Sequence, residues 1–296
     1  KDSILERRNI MFYSPLRYPG GKGKLEPFME LLIELTGHIG GTYVEPFAGG
    51  AGIALELLEK NIVNKIVIND LDKGVYSFWK AILTETDKFI NDIRTIPLTI
   101  DEWNQQRAVL GDNRRYSYEL GFATFYLNRT NRSGIIKGGV IGGVEQNGNW
   151  RMDARFNRNE LIERILKIAR QKKQIHIYNK DVNSFIRNYL PRYEENAFVY
   201  FDPPYLGKGK QLYLNFFSYD DHVRIEKMIN NQVNCDWVIT YDDVQEIADI
   251  YQNHILRRFD LNYSAAVKRK ASEIIIFRRL DMIPNVKQLE EREIFV

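Results

Sequence analysis

The chain is 296 residues long, 44% apolar and 27% charged, with a formal net charge of +3. These are the size and composition of one large soluble globular domain, or of one domain carrying an insert. Its single cysteine, Cys235, and four scattered histidines exclude an internal disulfide and a cysteine-based metal cluster and argue against a histidine metal site; no window nears the ~18 consecutive apolar residues of a membrane span.

Lys1 to Ile10 is charged and lacks the apolar core of a secretory signal, so a reducing, cytoplasmic setting is the default. The natural start is expected at Met11 or upstream. The weak net charge permits nucleic acid as a partner without requiring it. The first motif is Arg17-Tyr18-Pro19-Gly20-Gly21-Lys22-Gly23-Lys24. Adjacent glycines let a backbone approach a ligand closely or present successive N–H groups to an anion, and Lys22 could meet a carboxylate or phosphate. The spacing is not that of a P-loop, and alone the segment also suits a plain turn before a helix at about Leu25 to Leu35.

Tyr43 to Leu55 carries more. A short strand ends at Glu45, the turn Pro46-Phe47-Ala48-Gly49-Gly50 follows, and an amphipathic helix runs to about Lys60. The apolar run Ile66-Val67-Ile68 then leads to Asn69-Asp70. This is a β-turn-α-β unit with an acid ~20 residues past the glycines, the spacing that puts a carboxylate on a ribose. The glycines do not form G-x-G-x-x-G, so a nucleoside-containing cofactor without a pyrophosphate fits better than a nicotinamide dinucleotide.

From about Asp72 the pattern turns helical, with Val75 to Leu83, Asp87 to Thr95 and Tyr118 to Asn128 as helices. Thr99 and Glu102 have the spacing of a capping box. No parallel-strand signal returns before Ile175, so this stretch is expected as an inserted helical module. It ends in Asn128 to Gly143, where glycine pairs flank a short apolar piece and predict a hairpin or flexible loop. Arg129, Arg132, Lys137, Arg151, Arg155 and Arg158 face only Glu145 and Asp153 nearby. Such a basic patch is a plausible surface for phosphate and base contacts, although a solvated basic loop has the same composition.

The sheet pattern resumes with a helix at Asn159 to Arg170, a strand at Ile175 to Tyr178 ending near Asn179 and Asp181, and a helix at Val182 to Tyr189. Ala197-Phe198-Val199-Tyr200-Phe201 is a continuous apolar run, as expected of a strand buried on both faces. Asp202-Pro203-Pro204-Tyr205 stops it, because each proline lacks an N–H and fixes φ. Asp202 is thereby predicted at the carboxyl end of a central strand, where open α/β sheets bind ligands. Leu206 to Tyr219 could close over a substrate, Trp237 to Thr240 is a further strand, and Ile255 to Leu261 pairs with Glu273 to Phe277 as a hairpin.

Taken together, these motifs resemble the D12 class of DNA adenine-N6 methyltransferases, the Dam-like family, from Arg17 to Phe277 and in the family's order. Residues 17–24 look like its amino-terminal cofactor motif, Val44 to Gly49 like its cofactor loop, Asn69-Asp70 like its ribose-binding acid, and Asp202-Pro203-Pro204-Tyr205 like its catalytic tetrapeptide. Asn128-Arg129 opens what looks like its DNA-reading loop. The resemblance implies a Rossmann-like methyltransferase sheet, mostly parallel, of seven strands with an antiparallel C-terminal hairpin. It implies a discontinuous catalytic domain over 11–72 and 160–296, and an inserted, mainly helical DNA-recognition domain over 73–159.

The same resemblance implies S-adenosyl-L-methionine as cofactor and double-stranded DNA as partner, with no metal. Tyr18 and Lys22 would lie near the methionine moiety, Glu45, Phe47 and Gly49 would form the cofactor loop, Asp70 would hold the ribose, and Asp181 would reach the cofactor adenine. Asp202, Pro203 and Tyr205 would carry catalysis. Asn128, Arg129, Arg132 and Lys137 would contact DNA. A monomer on DNA and a cognate restriction endonuclease are the expected form and candidate partner. One departure stands out. The family's usual aromatic at the loop tip is absent from Arg132-Ser133-Gly134-Ile135-Ile136-Lys137, and lysine stands where an arginine reads guanine, so a GATC target is not implied. A ribosomal RNA base methyltransferase, which shares Asp-Pro-Pro-Tyr, and a DNA-binding protein without catalysis are the alternatives.

Overall fold

A computed structural model describes residues 14–17, 25–111, 116–206, 217–262, 270–292 and 294. Its centre is a seven-stranded sheet of order β3-β2-β1-β4-β5-β7-β6. The strands are β1 (Thr42–Glu45), β2 (Lys65–Asn69), β3 (Ile175–Tyr178), β4 (Ala197–Phe201), β5 (Asp236–Asp242), β6 (Ile255–Asn262) and β7 (Lys270–Phe277). β1 to β5 run parallel, β7 pairs antiparallel with β5, and β6 with β7. The expected mostly parallel sheet with an antiparallel C-terminal hairpin is what forms.

All five residues of β4 are buried, which its unbroken apolar run requires of a central strand covered on both faces. Successive side chains alternate between those faces. Tyr43, Ile66, Ile68, Phe198 and Tyr200 enter one core, while Val44, Val67, Val199 and Phe201 enter the other. The second core is closed by α8 (Val182–Asn188), α9 (Tyr219–Gln232) and α10 (Gln245–Ile250). The first is closed by α1 (Glu26–Leu35), α2 (Gly52–Glu59) and the helices between β2 and β3: α3 (Lys73–Thr84), α4 (Thr86–Thr95), α5 (Ile100–Val109), α6 (Tyr118–Thr130) and α7 (Arg158–Arg170). Phe78, Phe89, Phe122, Phe125 and Phe156 stack or meet edge to face inside it. The helices between β2 and β3 therefore share one continuous core with the sheet.

Two local expectations resolve differently. Thr99 caps α5 by accepting from Glu102 N, but the Glu102 carboxylate accepts instead from Gln106 Nε2 at 2.6 Å, so the cap forms without its reciprocal half. The stretch after α6 is not a hairpin. It makes a tight turn over Arg132–Gly134 and one antiparallel bridge, Asn131 to Val140, because Ser133 and Gly134 both take positive φ and break any extended run. The helix α9, not singled out by periodicity, is opened by a capping box between Ser218 and Asp221.

Candidate active site

Strand order reverses between β1 and β4, and a crevice outside their carboxyl ends is where such sheets bind ligands. Asp202 follows β4 directly, and Glu45 ends β1 beside it. The Asp202 carboxylate accepts from Thr240 Oγ1 at 3.1 Å, and the Tyr200 hydroxyl lies 2.8 Å from the same Oγ1. Thr240 has one hydroxyl proton and gives it to Asp202, so Tyr200 must donate to Thr240. Three side chains from neighbouring strands thus form a directed chain ending on the carboxylate, and Tyr200 and Thr240 are both buried. Pro203 is buried and stiffens the turn. The Tyr205 hydroxyl donates to Glu273 Oε1 at 3.4 Å; Glu273 is buried on β7, opposite Asp242 of β5.

Glu45 is buried, and burial, with the nearby Asp202 charge adding to it, pushes its carboxyl up to about 8. The loop after it is tied to the Asp70 turn at several points. Ala48 N donates to Asn69 O, and Asn69 Nδ2 donates to Pro46 O and Lys180 O. Gly49 N donates to Asp70 Oδ2 at 2.9 Å, and Asp72 N donates to Asp70 Oδ1 at 2.8 Å. Burial, followed by Asp72, raises Asp70 to about 7 against these two N–H donors. Each Asp70 oxygen accepts one backbone N–H, which leaves lone-pair capacity for a ligand's hydroxyls.

Beside Asp70, the side chains of Ala48, Tyr76, Trp79, Ile177 and Tyr178 line a narrow cleft. Aromatic and aliphatic side chains next to a carboxylate have the chemistry to meet a nucleoside, its base on the apolar groups and its ribose on the acid. Trp79 belongs to α3, and its buried indole N–H donates to Gly49 O at 3.0 Å. Sequence reasoning missed Trp79, Thr240, Tyr200 and Glu273.

Phe47 is half-buried and meets Phe217 edge to face, centroids 5.8 Å apart. Asp181 is exposed and caps α8 through Ser184 N. Asn179, two residues before it, donates to Asp70 O and Leu71 O, which joins the turn after β3 to the Asp70 turn. Tyr18 and Lys22 lie outside the described residues. The segment just before them is held by α6 and α7. Arg164 Nη1 donates to Ser14 O, Arg129 Nε to Pro15 O, and Asn128 both accepts from Arg17 N (2.6 Å) and donates to Arg17 O (2.7 Å).

That geometry turns two expected DNA contacts inward. Asn128 is 1% exposed and Arg129 8%, both on a helix buried along nearly its whole length. Asn128 also donates to Gly134 O, and burial, then Arg164 and Arg17, pushes Arg129 down to about 9. Arg132 and Lys137 are exposed. Gly134 sits between the two regions with φ +75, and a Cβ there would lie 2.2 Å from Arg17 O, so only glycine allows this approach.

A family profile described as D12 class N6 adenine-specific DNA methyltransferase matches residues 18–266. The Type II methyltransferase M.MjaIII of Methanocaldococcus jannaschii is 25% identical over 257 residues, covering 75% of this chain and 85% of that protein. Two structures of the rRNA methyltransferase aviRa from Streptomyces viridochromogenes align at TM-scores of 0.43 and 0.37, with 13% and 11% identity over 92% and 93% of this chain and 94% and 92% of theirs. Among the described residues no helix is long and apolar enough to cross a membrane. With a family match spanning most of its length, the chain belongs to the D12 class of N6 adenine-specific DNA methyltransferases.

Proposed function

We propose that the protein methylates N6 of an adenine flipped out of double-stranded DNA, with S-adenosyl-L-methionine as donor. The observation that carries this reading is Asp202 at the carboxyl end of β4, oriented by Thr240, with the Asp70 turn two strands along, beyond β1, at the same edge of the sheet. When bound, S-adenosyl-L-methionine supplies a methyl on a sulfonium, whose S–C bond breaks as the N6–C bond forms. Asp70 would hold its ribose, Glu45, Phe47 and Gly49 would shape its loop, and Tyr18, Lys22 and Asp181 would reach its methionine and adenine ends.

The protein's own task is positioning. The adenine N6 lone pair is delocalised into the ring, so the amine is a weak nucleophile. A carboxylate of Asp202 accepting one N6–H, with the Pro203 carbonyl accepting the other, draws the nitrogen towards a tetrahedral shape and frees the lone pair. The amine proton becomes acidic once the methyl has arrived and leaves to Asp202 or to water, so no strong base is needed. This is orientation plus electrostatic stabilisation. An adenine inside a duplex cannot reach Asp202, which requires flipping, and the Tyr205 ring offers a stacking surface worth ~1–3 kcal/mol. Arg132 and Lys137 are proposed as the DNA contacts, and Asn128 and Arg129 as internal supports that join the DNA loop to residues 14–17. Action as a monomer, with a cognate restriction endonuclease as a partner, completes the proposal.

Methyl transfer from labelled S-adenosyl-L-methionine to duplex DNA and to ribosomal RNA, with N6-methyladenine mapping of DNA from expressing cells, tests the reading. Labelled duplex, a mapped motif and a loss of ~10²–10³ in kcat for Asp202→Ala are expected. Labelling of RNA alone, or a variant keeping a tenth of wild-type kcat, would refute it.

A further inference from the structure

Among the described residues Trp150 is the most exposed large apolar side chain, at 72%. Its backbone is clamped while its ring stands out. Gly142, at φ +83, comes so close that a Cβ there would lie 2.7 Å from Trp150 O and 3.2 Å from Arg151 Cα. Gln146 Nε2 donates to Ile141 O and Gly143 O, and its Oε1 accepts from Met152 N at 2.9 Å. Met152, two residues on, is buried. Residues 142–152 thus form a closed loop that holds the Trp150 backbone and leaves the indole uncovered.

The charges beside it favour one kind of occupant. Arg132 Nη2 lies 4.0 Å from where a Gly143 Cβ would be, and Arg132 N donates to Gly139 O, so the basic turn and this loop are neighbours. Arg132, Lys137, Arg151 and Arg155 are all exposed, and among the described residues no ion pair ties them to an acid of this chain. An exposed aromatic on a loop that adjoins a basic turn matches a polyanion that offers flat apolar faces. An apolar protein surface would leave those cations uncompensated.

We propose that Trp150 is a DNA-stacking residue, its indole lying on a base that loses its neighbour when the adenine leaves the helix. This rests on the reading of duplex DNA as substrate. Proteins that open or kink DNA insert apolar side chains at unstacked steps, and an indole that holds the gap favours the flipped state.

The other tryptophans make the test specific. Trp79, Trp103 and Trp237 are 2%, 4% and 3% exposed, so quenching of intrinsic fluorescence by neutral acrylamide reads chiefly Trp150. A duplex carrying the motif mapped from expressing cells should suppress that quenching. Trp150→Ala should lower kcat/KM for this duplex ~10-fold or more and dim 2-aminopurine placed at the target adenine. Trp150→Phe should restore most of both, and affinity for the cofactor product should be unchanged in each variant. Wild-type protein active on the duplex, with Trp150→Ala equally active and quenching unaffected by DNA, would overturn the proposal alone. A change of oligomeric state in Trp150→Ala with DNA methylation intact would overturn it in favour of a protein contact. Wild-type protein inactive on every duplex would overturn the underlying reading and this proposal with it.

Discussion

Thr240→Val tests whether the chain from Tyr200 through Thr240 to Asp202 sets the carboxylate's position. Valine matches threonine in shape, so no cavity opens, and the change removes one hydroxyl from a fully buried site. Asp202 loses a charge-assisted hydrogen bond at 3.1 Å and the buried Tyr200 hydroxyl loses its partner at 2.8 Å. An orphaned buried polar group costs ~1–3 kcal/mol, which is the expected fall in unfolding free energy by urea titration. Adding Tyr200→Phe removes the orphan and should recover part of the loss, giving a coupling of ~0.5–3 kcal/mol in the double-mutant cycle. Under saturating cofactor and DNA, kcat should drop ~10- to 100-fold, since small misplacements at a reacting centre are expensive. Thr240→Ser keeps the hydroxyl and should stay near wild type. A valine variant with kcat within twofold of wild type would show that Asp202 is positioned by other contacts, whatever the stability change.

Three further outcomes follow from the site. Glu45 is raised from 4.5 to about 8 in the folded state, so the native protein binds the extra proton between those values. Its stabilising contribution is full below pH 4.5 and is lost as pH rises towards 8, with a slope of at most about 1.4 kcal/mol per pH unit. Glu45→Gln should flatten that slope in urea midpoints from pH 5 to 8 and leave the ligand-free protein more stable than wild type at pH 8; an unchanged slope would reject the shift. Asp70→Ala should weaken the cofactor product by roughly 1–3 kcal/mol in calorimetry, and unchanged affinity would remove Asp70 from the ribose. Lys137→Ala should lose ~1–3 kcal/mol on the cognate duplex only if it reads a base edge, whereas Arg132→Ala should weaken cognate and scrambled duplexes alike and reduce the salt slope by about one if it grips phosphate. Equal losses on both duplexes for Lys137→Ala would make it a backbone contact.

Much of the sheet was legible because its strands are short apolar runs ended by turn residues. The run from Ala197 to Phe201, stopped by Pro203 and Pro204, located both the central strand and Asp202 at its end, since no other placement satisfies five apolar residues followed by two residues without N–H groups. Asp70 was legible for a similar local reason, a turn, a helix and a strand of ordinary length. The C-terminal hairpin was legible as two strand-like runs, Ile255 to Leu261 and Glu273 to Phe277, that pair antiparallel. Helix α9 escaped notice although Ser218 and Asp221 carried its start signal.

What the chain pattern leaves open is which distant groups meet. Asn128 and Arg129 are polar residues leading into a glycine-rich basic loop, and locally that reads as surface. Only the packing of α6 on all sides turns them inward, where the backbone of residues 14–17 needs their donors and acceptors. Thr240 and Tyr200 sit on different strands, and Trp79 lies in a different helix from the loop it bonds. Periodicity assigns a side chain to a face, because that depends on neighbours one to four residues away. Its hydrogen-bond partner across the sheet depends on strand order, and strand order is decided by the burial of two whole faces at once.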